Sequence, residues 1–223
     1  MITALLLAAA AAHAHAHAPK LSSMSAVDAE IAFARDAKRI GQWSAFRKWV
    51  DRDAVMFTPQ AVWASTFLKT LKNPPNAISW HPLQSFVSCD GRTAVNTGPW
   101  YRQDGARGGY FTTVWQRGPR GWRWVYDGGG PATGKVRAAR PQVRAATCSG
   151  RPSGPPIAPP PPLSGIESRK TPVDNGRGLS ADRTLGWDWK VSTDGARKLR
   201  VFQWNGRGYT QVLTNDVPAP PPR

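Results

Sequence analysis

The chain has 223 residues, with 30 Lys and Arg against 14 Asp and Glu and a formal net charge of +16. That length allows one ordinary domain with appendages and excludes a large multidomain enzyme. With 40% apolar residues beside 21 Pro and 21 Gly, there is material for a core of about a hundred residues but not for a chain packed throughout.

Residues 2–12 (ITALLLAAAAA) form an apolar run too short to span a bilayer as a helix, followed by alternating His and Ala. This is the pattern of a secretory signal peptide over residues 1–18, with small-x-small cleavage sites after Ala14 and Ala16. Its opening lacks Lys and Arg, so the terminal amine alone supplies positive charge. Alternating histidines also read as a metal tract, but cleavage punctuation accounts for the same letters. Removal leaves His81 as the only certain histidine, which argues against a multi-His zinc site or a His-based triad. No metal or other cofactor is expected. The signal implies a periplasmic or secreted protein that is not integral to a membrane.

Residues 25–40 (SAVDAEIAFARDAKRI) predict an amphipathic helix with Ser25 as its cap. One stripe carries Val27, Ile31, Ala34 and Lys38, and another carries Ala26, Phe33, Ala37 and Ile40. After Gly41, the spacing of Trp43, Phe46, Trp49 and Val50 predicts a second short helix. Residues 53–59 (DAVMFTP) predict a strand, and 60–71 a third helix ended by NPPN at 73–76. From Ala77, turn signals at Asp90-Gly91, 104–109 and 118–121 predict a four-strand meander over 77–88, 92–102, 109–117 and 121–127. A two-residue turn at Asp90-Gly91 puts Ile78, Trp80, Pro82, Gln84 and Phe86 on one face with Val95, Thr97, Pro99 and Tyr101. Pro82 and Pro99 lack a ladder donor, and the face assignment changes if the strand slips there.

Residues 132–180 hold 9 Pro, 8 Lys and Arg and 2 acids, the composition of an extended or disordered linker. Residues 181–217 predict a three-stranded meander with its first turn pairing Ser192 with Arg197. That register places Leu185, Trp187, Trp189 and Val191 on the face of Phe202 and Trp204. So small a unit is unstable alone, so its aromatic face should dock. Residues 218–223 are a Pro-rich tail.

The order of elements, with the phrases AEIAFARDAKRIGQWSAF (29–46), DRDAVMFTP (51–59), CDGRTAVNTGPW (89–100) and YFTTVWQRGPRGWRWVYDGG (110–129), resembles the nuclear transport factor 2-like superfamily, including the SnoaL-like proteins. The resemblance spans about residues 25–131. It implies an α+β cone of three helices against a curved antiparallel sheet, an apolar pocket at the wide end, and often a homodimer packed sheet to sheet. Enzymes of the superfamily, such as ketosteroid isomerases, dehydratases and polyketide cyclases, place Asp, His or Tyr in that pocket. Many relatives bind ligands or proteins without chemistry. This chain departs from the pattern in following Asp127 with glycines where relatives often carry another polar side chain.

Asp127 reads either as a general base whose proton affinity is raised by Trp122, Trp124 and Tyr126, or as an anchor for the glycine turn after it. His81 reads as an acid-base group or as a structural or surface histidine. Asp53 reads as a local cap or pair. Trp80, His81, Tyr101, Tyr110 and Tyr126 are the candidate ligand-binding residues, the tyrosines as hydrogen-bonding groups. Cys89 and Cys148 are the only thiols, and export predicts a disulfide between them. The basic charge suggests anionic envelope polymers or lipid head groups as partners, with solvation of a disordered segment as the bland alternative. No nucleic-acid motif is present. The expected function is non-catalytic binding of a small molecule or envelope component in the pocket. The alternatives are an isomerase- or dehydratase-type enzyme using the same pocket, and an assembly role for the polyproline segments.

Overall fold

The structure, a computed structural model, describes residues 24–132, 139–153 and 174–221. The signal-peptide expectation, the proline run at 155–162 and the last two residues of the tail lie outside them.

Helix α1 (Ala26–Ile40) begins at a capping box in which the Ser25 hydroxyl accepts from the Asp28 amide and Asp28 accepts from the Ser25 amide, each at 3.1 Å. Gly41, at φ +94°, ends it and α2 (Gln42–Trp49) follows at once. The buried face of α1 carries Ala29, Glu30, Phe33, Asp36 and Ala37. Of the other expected stripe, Ile31 (46% exposed) and Lys38 face outward, while Val27 and Ala34 are half-buried and Ala34 packs against the core.

Strand β1 (Val50–Phe57) opens directly from α2. The expected helix over 60–71 is replaced by β2 (Ala61–Trp63), a single turn α3 (Ala64–Phe67) and a 3₁₀ turn over Leu68–Thr70. The Thr58 amide donates to the Gln60 carbonyl at 2.9 Å and reverses the chain. Ala61–Trp63 therefore pairs back on β1, with Val55 opposite Trp63, and takes the residues a longer helix would need.

Strands β3 (Ser79–Trp80), β4 (Gln84–Val87), β5 (Thr93–Tyr101), β6 (Arg107–Gly118) and β7 (Gly121–Pro131) form the meander. The Asp90-Gly91 turn sets Phe86 opposite Val95 and Gln84 opposite Thr97 as expected. Across Pro82 the register slips by one residue, so Trp80 faces Trp100 rather than Tyr101. Trp80 consequently points to the opposite side of the sheet from Phe86. Strand β7 also runs on through Gly128-Gly129-Gly130 to Pro131, where a turn was expected.

Two further strands lie in the stretch read as a linker. β8 (Gln142–Ala145) pairs parallel with β4, giving a large mixed sheet ordered β2-β1-β7-β6-β5-β4-β8 with β3 on β5. β9 (Asn175–Leu179) joins β10 (Leu185–Val191), β11 (Arg197–Trp204) and β12 (Tyr209–Val217) in an antiparallel sheet of four strands rather than three. Its first hairpin pairs Val191, not Ser192, with Arg197. Ser192 N–H reaches the Ala196 carbonyl at 2.8 Å around Gly195 at φ +88°, which makes the loop one residue longer at its start. Trp187 and Trp189 therefore share their face with Val201 and Leu199, and not with Phe202.

The resulting α+β architecture has three layers. The helices pack on one face of the large sheet through Phe33, Phe46, Trp49, Trp115 and Trp124. The small sheet packs on the other through Trp187, Trp189 and Val201 against Phe86, Val95 and Val114. The face of the large sheet away from the helices is thus covered by the chain's own C-terminal strands.

Cys89 and Cys148 are disulfide-bonded, with Cα atoms 5.2 Å apart. Beside them Cys89 N–H donates to Thr184 Oγ1 at 2.8 Å, and Thr147 N–H to the Trp204 carbonyl at 3.0 Å. The β4–β5 turn, the chain after β8 and the small sheet therefore meet at one corner. The bond spans 59 residues of sequence, for which chain-entropy arguments give about 4 kcal/mol of stabilisation. Cys148→Ser is expected to lower stability in urea by about that amount, and a midpoint insensitive to both the substitution and reductant would show the bond to be energetically idle.

Candidate functional site

The helix layer meets the large sheet around a fully buried acid. Glu30, 0% exposed, accepts from Trp80 Nε1 at 2.9 Å on one oxygen. Its other oxygen accepts from Trp115 Nε1 at 2.6 Å and Asn96 Nδ2 at 3.3 Å. One carboxyl thereby ties α1 to β3, β5 and β6. Burial pushes it up to about 8 against the opposing pull of these three donors, and the negative charge of Asp127 adds to the rise. Phe33, one turn on, sits edge-on to Phe46 at 4.7 Å and to Trp80 at 4.9 Å.

Next to Trp80 opens a cavity of about 340 Å³ walled by Phe46, Met56, Trp80, Trp100 and Phe111. Its ionisable lining is Asp127, Tyr110 and Arg197. Asp127, half-buried on β7, accepts from Thr113 Oγ1 on β6 at 3.1 Å. Burial pushes its carboxyl up to about 7, while the Thr113 hydroxyl and the Arg197 charge act downward. A strand neighbour holds it, which replaces the turn-anchoring reading.

Gly128, Gly129 and Gly130 form the remaining wall. A Cβ on Gly128 would come within 2.9 Å of the Tyr126 hydroxyl, and one on Gly130 within 2.6 Å of the Tyr110 hydroxyl. The glycine run is therefore what lets two tyrosines lie across the strand, and it leaves the wall without side chains. Arg197, from the start of β11, reaches over it. Its guanidinium donates to the Gly129 carbonyl and lies 4.2 Å from the Phe57 ring.

Of the residues singled out from sequence, Trp80, Tyr110 and Asp127 line this cavity. Tyr126, 2% exposed, is on the opposite face beside Phe57, and burial pushes its phenol up. His81 is exposed and stacks on Tyr101, with ring centroids 5.8 Å apart. Neither His81 nor Tyr101 lines the cavity: the paired Trp80 and Trp100 turn to it, and the next residue of each strand points the other way. Asp53 pairs locally with Arg52 at 3.4 Å. Sequence reasoning missed Glu30 and Arg197. Glu30 had a signal, an acid one turn after Ala26 and one turn before Phe33 on the apolar stripe. Arg197 had none, because only the tertiary docking of β11 brings it to the cavity. Among the described residues no group of three or more His, Cys, Asp or Glu side chains could hold a metal ion.

No family model matches the chain, and no curated protein does. Among solved structures it is similar to a protein assigned as an aromatic ring hydroxylase from Novosphingobium aromaticivorans, at 14% identity and a TM-score of 0.34 over 47% of this chain and 84% of that one. It is also similar to a protein assigned as a dehydratase of the nuclear transport factor 2-like family from Streptomyces avermitilis, at 12% identity and a TM-score of 0.28 over 48% and 96% respectively. Likenesses this faint carry neither family membership nor activity to this chain.

Glu30 and Asp127 hold protons in the folded state that an unfolded chain releases at ordinary carboxyl values of 4.5 and 3.8. Their contribution to stability is full below those values and is lost as pH rises through about 7 and 8. Asp36, held down at about 2, loses its contribution only as pH falls through that value. The melting temperature is therefore expected to fall by roughly 10 °C between about pH 5 and about pH 9. Glu30→Gln should flatten that fall in a calorimetric pH series, and equal slopes for the two proteins would remove Glu30 as its source.

Proposed function

We propose that this chain binds a small, largely apolar molecule carrying one polar group in the cavity beside Trp80. The observation that carries the reading is a partly open cavity of about 340 Å³ lined by the aromatic rings of Phe46, Trp80, Trp100 and Phe111 together with Asp127, Tyr110 and Arg197. The disulfide supports an oxidising compartment, in keeping with export. Among the described residues no helix is long and apolar enough to cross a membrane. Anionic envelope polymers or lipid head groups remain the proposed macromolecular partners. Their support is the groove of about 840 Å³ on the outer face of the small sheet, where Arg177, Lys190, Lys198 and Arg200 outnumber Asp188 and Asp216.

A second reading, proton transfer of the isomerase or dehydratase kind, is favoured by one observation. Asp127 faces the cavity with its carboxyl raised to about 7, where a base is both available and strong enough to act at neutral pH. The neutral ketone 2-tetralone tests both readings. Saturable quenching of the cavity tryptophans is expected, and its absence with this ketone and with the naphthyl acid and amide alike would remove the binding reading. If Asp127 transfers protons, exchange of the ketone's α-protons into deuterium oxide should rise with pH through about 7, because the base form acts. That exchange should drop roughly 100-fold or more in Asp127→Asn. Binding without catalysed exchange would leave a non-catalytic binding protein.

A further inference from the structure

We infer that the C-terminal sheet completes the cavity and makes it selective for small aromatic anions, an arylcarboxylate or phenolate whose charge is received by Arg197. The inference rests on the binding reading above and adds the chemical class of the ligand.

Among the described residues Arg197 is the only cation lining the cavity, and it comes from β11 rather than from the helices and sheet that form the other walls. It lines both the cavity and the outer groove of the small sheet, so it stands at the boundary between the two. Among the described residues no carboxylate forms an ion pair with it. Asp127 is close enough to feel its charge but makes no such pair. The contacts it does make are to neutral groups, the Gly129 carbonyl, the Tyr126 hydroxyl and the face of Phe57. A guanidinium has five N–H donors in a planar fork matched to a carboxylate, and these contacts leave part of that fork unused. A half-buried cation without a counterion is costly to hold, and an anionic ligand supplies the missing charge.

The glycine run makes the approach feasible. Without side chains at 128–130, the guanidinium lies against the backbone of β7 with no bulk between it and the cavity. The opposite walls are the rings of Phe46, Trp80, Trp100 and Phe111. They suit a flat apolar body in edge or offset contact better than a sugar or a peptide. A ring between these side chains, with its anionic substituent toward Arg197, uses the aromatic and the charged ends of the site together.

The test compares 2-naphthoate with its neutral amide, 2-naphthamide, by tryptophan fluorescence titration of the full chain. The acid should bind at least about tenfold more tightly than the amide. In Arg197→Met the amide affinity should persist while the acid preference disappears, and Arg197→Lys, which keeps the charge but loses the fork, should give an intermediate preference. A wild-type protein that binds the amide as well as the acid, or an acid preference that survives in Arg197→Met, overturns the inference and leaves the binding reading intact. Failure of both probes and of 2-tetralone overturns the binding reading itself. If Arg197→Met loses both ligands together with its folded near-ultraviolet signal, the wild-type ratio and the lysine variant decide the matter.

Discussion

Every part of this molecule answers to one constraint, that the large sheet is apolar on both faces. Along β5 and β6 the alternation that usually separates core from solvent separates two cores instead. Ala94 and Trp115 turn to the helices, while Val95 and Val114 turn to the small sheet, and all four are 0% exposed. Strands buried on both sides usually read as near-continuous apolar runs, but TAVNTGPW and YFTTVW interleave buried Thr and Asn whose side chains find partners inside, Asn96 donating to the Ala26 carbonyl at 2.8 Å and Thr97 to the Phe111 carbonyl at 2.6 Å. The C-terminal strands are therefore a structural layer of the same fold. The cavity opens where the glycines of β7 leave the sheet without side chains, beside Met56 and Phe57 of β1 and Arg197 of β11.

The two buried acids of α1 show how differently one helix can treat a carboxyl. Asp36 meets cations, with Lys48 Nζ at 2.6 Å and Arg39 at 2.9 Å, and Trp49 donates to it as well, so it stays ionised. Glu30, six residues earlier, meets only neutral indole and amide donors inside the core, and burial prevails. One acid fastens α1 to α2 and the other fastens α1 to the sheet. The second does so at the expense of pH tolerance, and its electrical link to Asp127 joins the core to the cavity.

Features written in local chemistry were legible in the sequence. The Ser25 cap, the break at Gly41, the Asp90-Gly91 hairpin with its initial register, and the docking of an aromatic C-terminal face all follow from residue type and spacing, and the Cys89–Cys148 pairing from thiol count and compartment. What was misread depended on single-residue shifts or distant partners. The slip across Pro82 turned Trp80 toward the helix side and the cavity and His81 away from it, while Tyr101, next to Trp100 on β5, points away as well. The longer loop at Ser192 reversed the partners of Trp187 and Trp189. Strands β8 and β9 have little apolar content of their own and exist because an unpaired sheet edge accepts them. Within the site, Asp127, Trp80 and Tyr110 were legible as aromatic or ionisable residues on the meander, whereas Arg197 lies 70 positions along the chain from Asp127.

The strand order also bears on how copies of this protein behave toward one another. An edge strand with open amide and carbonyl groups is a template for another chain. Here the two ends of the large sheet are β2, of 3 residues, and β8, of 4 residues, too short to recruit a neighbour along their length. β8 shields the longer hairpin of β4 and β5, and the bond at Cys148, three residues past its end, keeps it from peeling away. In a reducing environment that shield keeps its ladder and the hydrogen bonds from Gln203 to the Arg144 carbonyl and from Thr147 to the Trp204 carbonyl but loses its covalent tie, so the redox state of one bond also bears on how readily this sheet is extended from outside.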